Sequence, residues 1–420
     1  METELTVVTL NCWGIFLVSK NRIPRINAIA DELASGKYDF VFLQEVWTTK
    51  DFERIQLRTS SVLPYSHYFF SGVVGAGLCI FSRFPIKTAF FHQWAVNGYI
   101  HKIQHGDWFG GKGIGMVEVQ HEDLTINLYC AHLHAEYDRS NDEYLAHRVN
   151  QAFDTAQFIS LTSKHADLVI VAGDLNTEPG DLAYRLIVHT AHLNDAALSC
   201  SSSSTETNVN KMNTFETPRN SYTSSSSLIS NPFGKRIDYV AFKSGPSVIA
   251  NALTCETSWP DRVSGQTFSY SDHEAVIAKL RVCKSLLGCT CNLLTGAEIS
   301  ISDEVKKNEI LKESIEICDH ALSHLQASNK MYILLSIAMF VLFTITANFE
   351  FQFVLVLRIV ILFLLSFGIF MSVIWHKMEV HGILAGKLGM VIELGRCPLA
   401  SGTDKVLQEP RGGGGDDIWV

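Results

Sequence analysis

Carboxylate, carboxamide and imidazole side chains stand at the ends of apolar, strand-like runs throughout the first 273 residues. They are Asn11, Glu45, Asp174, Asn176, Asp238, Asp272 and His273. Oxygen ligands suit a hard divalent cation, and imidazole transfers protons near neutral pH. A cation, a phosphate group and a water molecule need such groups to converge at one place. The pattern therefore predicts a metal-dependent phosphoesterase.

The predicted metal site centres on Glu45, which directly follows the apolar run Phe40–Gln44. Asp272 is the second carboxylate candidate, and Asn11 offers a neutral oxygen that can brace the metal or the phosphate. Mg²⁺ fits this set because it is usually held by one or two carboxylates together with substrate phosphate oxygens. Taken singly, each of these residues would also serve as a strand-end cap or a turn residue.

Asp174 and Asn176 are predicted to act on water and phosphate. They lie two positions apart after the apolar run Leu168–Ala172, and Gly173 allows a tight turn between run and pair. In an extended segment such a pair projects to one side, so one residue can orient the attacking water while the other donates to a phosphate oxygen. An ordinary turn uses the same residue types.

Histidines supply the proton chemistry. His273 is the predicted general base or acid, and Asp238 on a neighbouring strand is expected to fix its tautomer. His132 and His134 alternate at a strand end, so only one of them can face the site. We expect His132 to contact phosphate as a donor or acid, and His134 to lie on the opposite face.

Lys112 closes a glycine-rich segment, 105–113, that resembles a phosphate loop in composition. The segment lacks the Gly-Lys-Ser/Thr ending of a nucleotide-binding loop. Its aromatic residues and glycines favour a mobile loop that covers a lipid headgroup, with Lys112 as a phosphate clamp. An ordinary glycine-rich surface loop is the alternative.

Apolar runs that suit strands alternate with helical patterns between residues 1 and 283, which predicts one α/β domain. The clearest helical patterns are Arg22–Leu33 and Asp142–Ser163. A serine-rich segment at 199–232 has little apolar periodicity and is expected to be a long surface loop.

The composition changes after residue 283. A linker and an amphipathic helix are predicted at 284–330, followed by two uncharged 17-residue spans at 331–347 and 359–375. At about 1.5 Å per residue, each span is near the lower limit for crossing a bilayer, and two in tandem favour a membrane hairpin. Lysines flank the hairpin on its outer sides, which predicts cytosolic termini, including the tail at 376–420, and an internal membrane such as the endoplasmic reticulum.

Charge argues against a nucleic-acid partner. The net charge of −9 provides no global basic field for a phosphate backbone. The first ten residues lack the basic and apolar regions of a signal peptide, and the scattered cysteines indicate a reducing compartment.

The motifs resemble those of the endonuclease/exonuclease/phosphatase superfamily over roughly residues 5–283. The segments Leu10–Gly14, Leu43–Trp47, His105–Lys112 and His132–Tyr137 are similar to those of neutral sphingomyelinases. The resemblance implies a four-layer α/β sandwich like that of deoxyribonuclease I, followed here by the two-helix transmembrane hairpin. It also implies hydrolysis of the membrane lipid sphingomyelin to ceramide and phosphocholine with Mg²⁺, for which Mn²⁺ could substitute.

The resemblance also implies residue roles. Glu45 and Asn11 would serve the metal, Asp174 and Asn176 would position water and phosphate, and His132 would contact phosphate. Asp272 with His273 would perform the base step, and Asp238 would be the partner of that histidine.

Other functions share part of this pattern. A phospholipase C acting on choline lysophospholipids would meet the same headgroup, and a superfamily nuclease would use the same chemistry. A phosphoinositide phosphatase would need several basic residues near the site, where only Lys112 and Arg236 are evident. A catalytically silent membrane adaptor would not need intact polar groups at every motif.

Overall fold

A computed structural model describes residues 2–16, 18–200, 212–284, 301–349 and 351–396. The strands are β1 (Glu2–Asn11), β2 (Phe40–Gln44), β3 (Tyr65–Phe69), β4 (Leu78–Ser82), β5 (Ile86–Gln93), β6 (Gly113–His121), β7 (Leu124–His132), β8 (Leu168–Asp174), β9 (Asn194–Asp195), β10 (Asp238–Ser244), β11 (Val248–Glu256) and β12 (Val276–Lys284). The helices are α1 (Arg22–Leu33), α2 (Thr49–Thr59), α3 (Asp107–Gly110), α4 (Leu145–Thr162), α5 (Leu182–Ala191), α6 (Ala196–Ser199), α7 (Ser225–Ser230), α8 (Ile301–Thr346), α9 (Gln352–Ile369) and α10 (His376–Gly395).

The strands form two six-stranded mixed sheets. The first has the order β11-β12-β1-β2-β4-β3, and the second has the order β5-β6-β7-β8-β10-β9. β1 is parallel to β2, and β7 is parallel to β8, whereas β12 and β10 run antiparallel to β1 and β8. The carboxyl ends of β1, β2, β7 and β8 therefore meet the amino ends of β10 and β12 at one edge of the sheets.

The sheets pack face to face and are covered by helices on both outer faces. Apolar side chains such as Phe42 and Ile170 fill the space between the sheets. Ile29 of α1 and Ile55 of α2 cover the first sheet, and α4 and α5 cover the second. Burial on both faces explains why the central strands are nearly continuous apolar runs. The predicted four-layer α/β sandwich is confirmed.

The strongest sequence patterns match the observed elements within a few residues, and the helix predicted at Arg22–Leu33 is α1. The strands β3, β5 and β11 and the helices α2 and α5 had no prediction. None of the side chains of β5 is fully buried, and most are exposed. Its sequence therefore lacks the long apolar run that indicates a buried strand.

The C-terminal helices differ from the predicted spans in length. Helix α8 continues without a break from the predicted amphipathic segment into the first predicted span, and a π-helical turn, Phe370–Trp375, joins α9 directly to α10. Asp303–Thr346 and Gln352–Gly395 are long and apolar enough to cross a membrane by length and composition. The predicted linker at 285–300 and the tail beyond 396 lie outside the described residues.

These helices also pack on the α/β domain. Leu311 and Cys318 of α8 and Ile383 and Met390 of α10 share one apolar core with α4 and α5. The contact with α4 is close because α10 presents glycines: a Cβ at Gly389 would lie 2.7 Å from the ring of Phe153. Helix α10, which falls within the predicted tail, is therefore packed against the α/β domain.

Candidate active site

A cleft of about 780 Å³ opens at the edge where the strand ends meet. Strand pairing explains how distant residues arrive there. Asn11 pairs with Gln44 across β1 and β2, and Asp174 pairs with His132 on one side and with Asp238 on the other. The side chains that the sequence predicted to act together do converge at this edge.

Asn11 links the two sheets at the base of the site. Its Nδ2 donates to Glu45 Oε1 at 3.0 Å and to Asp174 Oδ2 at 2.9 Å. Its Oδ1 accepts from the backbone N–H of Trp13 at 2.9 Å. The amide thus holds two carboxylates in place, while the role of its oxygen as a metal ligand stays a prediction.

His273 and Asp238 form a buried pair. The Nδ1 atom of His273 lies 2.8 Å from Asp238 Oδ2, and its Nε2 lies 3.9 Å from Asp174 Oδ2. Burial alone would lower the pKa of His273, but the charges of Asp238, Asp174 and Asp272 raise it well above its usual value. The hydrogen bond to Asp238 fixes the ring so that Nε2 faces the cleft, as a proton-transfer group requires.

Asp174 and Asn176 both line the cleft, although the backbone between them does not have the extended conformation that the sequence predicted. Asn176 has φ 47°, the left-handed region that asparagine tolerates, and is not part of an extended segment. Its backbone N–H donates to Asp174 Oδ1, and its Nδ2 donates to the carbonyl of Leu133. Burial and the charge of Asp238 raise the pKa of Asp174 to about 7.

Glu45 and Asp272 face the same cleft. Burial, together with the nearby charge of Glu45, raises the pKa of Asp272 to about 6. Asp174, Asp238 and His273 offer ligand atoms within 4.8 Å of one another, and Asp238 Oδ1 is buried without a hydrogen-bond partner among the described residues. Several close carboxylates with oxygen atoms to spare fit a divalent cation.

His132 lines the cleft, and its Nε2 lies 3.5 Å from Asp174 Oδ2. His134, in contrast, is fully buried and its ring stacks on that of Tyr144. Burial and the charge of Lys112 lower the pKa of His132 well below its usual value, which favours the neutral form of the imidazole. The two histidines lie on different sides of the strand end, as their alternation predicted.

Lys112 lies at the cleft wall but is already paired. Its Nζ is 2.6 Å from Asp107 Oδ1 and 3.3 Å from His132 Nε2, and only 3% of the residue is exposed. Asp107 also accepts a hydrogen bond from Tyr137. These buried contacts anchor the glycine-rich segment that the sequence predicted to be mobile.

Sequence reasoning missed Phe215 and Asp107. Phe215 lies in the serine-rich segment expected to be a surface loop, of which 201–211 are outside the described residues. It pairs with His273 as an isolated bridge, and its ring lies 4.7 Å from the imidazole. Phe215 could have been found because it is an aromatic residue within a polar stretch. Asp107 could have been found because it is a lone acidic residue within the glycine-rich segment.

Comparison with known proteins places this site in a family. The model of the endonuclease/exonuclease/phosphatase family matches residues 8–273, a range that includes every predicted site residue from Asn11 to His273. The chain belongs to this family. The solved structure of a humanized D. rerio TDP2 with 14 mutations shares the fold, with a TM-score of 0.50 and 17% identity over 66% of this chain and 98% of that one.

Two relatives are more specific. The chain is 41% identical to a Drosophila melanogaster protein named putative neutral sphingomyelinase, over 93% of this chain and 97% of that protein. It is 41% identical to Homo sapiens sphingomyelin phosphodiesterase 2, over 66% of this chain and 65% of that protein. The resemblance to neutral sphingomyelinases, predicted from the motifs, is confirmed.

Proposed function

We propose that this protein hydrolyses sphingomyelin to ceramide and phosphocholine as a Mg²⁺-dependent neutral sphingomyelinase. One observation carries the proposal: the His273–Asp238 pair faces Asp174 and Glu45 inside a single cleft. The names of the relatives support the choice of lipid.

His273 performs the proton step in this proposal. Asp238 accepts a hydrogen bond from Nδ1 and holds Nε2 toward the cleft, where Nε2 of the unprotonated ring takes a proton from a water molecule. The carboxylates that raise the pKa of His273 make this form of the ring a stronger base. The water oxygen attacks phosphorus opposite the ceramide oxygen. The bond from phosphorus to that oxygen breaks, and the leaving oxygen takes a proton from solvent to give the ceramide alcohol. Phosphocholine leaves, and His273 returns its proton to solvent.

Glu45 and Asp272 would hold the cation, with Asp174 nearby and Asn11 keeping Glu45 and Asp174 in place. When bound, Mg²⁺, or Mn²⁺ in its place, supplies Lewis-acid polarisation of the phosphate and offsets the charge of the carboxylates. Asp272 thus serves the metal and also adds to the field around His273.

Asn176, His132 and Lys112 would bind the phosphate. Asn176 and His132 are neutral donors, and donors aimed at a phosphate stabilise the charge that grows in the transition state. Lys112 and Arg236 are paired with Asp107 and Asp195, so neither brings an unmatched positive charge. A site with neutralised basic residues suits a single phosphodiester better than a headgroup bearing several phosphates.

The experiment measures phosphocholine release by detergent-solubilised protein in the presence of Mg²⁺ or of EDTA. Sphingomyelin and lysophosphatidylcholine are supplied as substrates in parallel reactions. We expect release from sphingomyelin that EDTA abolishes. Release only from the lysolipid would replace the substrate but keep the chemistry. Absence of release from both, by folded protein, would overturn the proposal.

We further propose a domain arrangement. Residues 1–283 form the phosphodiesterase domain, the linker and amphipathic helix follow at 284–330, and the spans at 331–347 and 359–375 cross an internal membrane. The domain and the tail at 376–420 face the cytosol, so the cleft reaches lipid of the cytosolic leaflet. The basic flanks of the hairpin and its two long apolar helices support this arrangement.

A further inference from the structure

Two loops at the mouth of the cleft expose apolar side chains. Ile15, Phe16 and Val18 lie between β1 and α1, and Val73 and Val74 lie between β3 and β4. Val18 is 67% exposed and Val73 is 80% exposed, so neither contributes to the core. We call these five residues the apolar rim. Ile15, Phe16 and Val74 also line the cleft, so the rim is continuous with the site.

The start of the first loop is anchored by Arg25. The buried guanidinium of Arg25 donates to the carbonyls of Cys12 and Trp13 at 2.7 Å each, and it lies 4.8 Å from the centre of the Trp13 ring. Anchoring Cys12 and Trp13 sets the direction in which the chain leaves β1 toward the exposed side chains of Ile15 and Phe16.

The second loop is fixed to the helix at the cleft wall. The backbone N–H groups of Val73 and Val74 both donate to the carbonyl of Phe109, at 2.9 and 3.1 Å. Gly111 approaches so closely that a Cβ there would lie 2.8 Å from Gly72. Both loops thus expose apolar side chains to water, which is unfavourable in free energy.

The rim continues toward the proposed membrane hairpin. Phe109, which holds the second loop, follows Trp108, and the ring of Trp108 lies 5.9 Å from that of Trp375. Trp375 ends the second predicted span. Tryptophan is frequent at membrane–water interfaces, so this contact places the short helix that holds the second loop beside the end of a span.

We propose that the apolar rim inserts into the bilayer surface and docks the mouth of the cleft on the lipid. The inference rests on the proposed function, because it supplies the route by which a membrane lipid enters the site. Exposed apolar patches beside a cleft mark interaction surfaces. The occupant is a lipid surface because the rim adjoins both the cleft for a lipid substrate and the end of a span.

The test uses the full chain in vesicles of phosphatidylcholine and sphingomyelin. The rim variant is Val18→Ser with Val73→Ser, two residues outside the cleft lining. The matched control is Leu57→Ser with Leu161→Ser, since these are 77% and 66% exposed on helices away from the rim. Each protein is also given a short-chain sphingomyelin below its micelle concentration.

We expect the rim variant to lose about tenfold in hydrolysis of vesicle sphingomyelin, the factor that follows from losing partial burial of two valines. It should hydrolyse the soluble substrate like the control. Equal loss on both substrates, or no loss on vesicles, would overturn docking on lipid. Failure of the unaltered protein on both substrates would instead overturn the proposed function.

A photo-cross-linking residue placed at Val73 gives an independent reading. We expect it to capture labelled lipid in the same vesicles, whereas one at Leu161 should not. Capture of a second copy of the chain at Val73 in place of lipid would assign the rim to a protein interface and overturn the proposal.

Discussion

At the scale of single residues, the site depends on hydrogen bonds that join distant parts of the chain. Asn11 holds Glu45 and Asp174, which lie 34 and 163 positions away in the sequence. The residue types at strand ends indicated which side chains would take part. Their contacts depend on strand order and register, which a single sequence does not specify, so the bridging role of Asn11 emerged only from the structure.

Replacing His273 tests the proton step. We expect His273→Ala to lower turnover by about 10²-fold or more, because a general base contributes on that scale. His165→Ala, at an exposed histidine in a turn, is the control and should be near normal. Rates of phosphocholine release are compared after the fold is checked by circular dichroism. Near-normal turnover in folded His273→Ala would refute its role.

Replacing Glu45 tests the metal site. We expect Glu45→Gln to need at least roughly tenfold more Mg²⁺ for half-maximal activity, since even supporting residues of metal sites cost that much. Glu122→Gln is a matched control because Glu45 and Glu122 have φ 56° and 53°, so backbone strain is the same. An unchanged Mg²⁺ dependence in Glu45→Gln would show that Glu45 is not a ligand.

At the scale of elements, the packing of α10 on α4 was hidden from sequence reasoning. The segment follows an apolar span and was interpreted as a tail, although Gly382, Gly386 and Gly389 recur at helical spacing. In the structure those glycines allow close contact, and a buried pair joins His147 of α4 to Glu379 of α10 at 2.9 Å. The central strands, by contrast, were predictable because burial on both faces leaves continuous apolar runs.

Substitution of one glycine tests this contact. We expect Gly389→Val to destabilise the protein by about 1–3 kcal/mol, the usual cost of overpacking, because its side chain would meet Phe153. Gly395→Val is the control, since nothing lies within 4 Å of a Cβ there. Thermal unfolding in detergent should show a lower Tm for Gly389→Val alone. Equal Tm values would mean that α10 does not dock on α4.

At the scale of the whole molecule, composition and flanking charge predict the orientation of the chain in a membrane. Within Asp303–Thr346 and Gln352–Gly395, only 6% and 11% of the most apolar 18-residue stretch is buried inside the protein. Such surfaces need a hydrocarbon environment or another covering. The proposed hairpin meets that need and leaves the α/β domain on one side.

Glycosylation mapping tests the orientation. A flexible loop with an Asn-x-Thr acceptor is inserted between Ala347 and Gln352, and a second variant carries it at the β6–β7 turn beside Glu122. Expressed with microsomes, the first should be glycosylated and the second should not, because the positive flanks keep the domain cytosolic. Glycosylation of the second alone would reverse the topology.

The docking of α10 on the α/β domain has a kinetic consequence. Because α10 follows directly on the second proposed span, the docked domain stays at the membrane surface. The enzyme and its lipid then share a two-dimensional space, and encounters occur by lateral diffusion. The rate then follows the mole fraction of the lipid in the leaflet, not its amount per volume of cytosol. Dilution by other lipids slows turnover without any inhibitor binding, so the composition of the membrane itself sets the pace of the reaction.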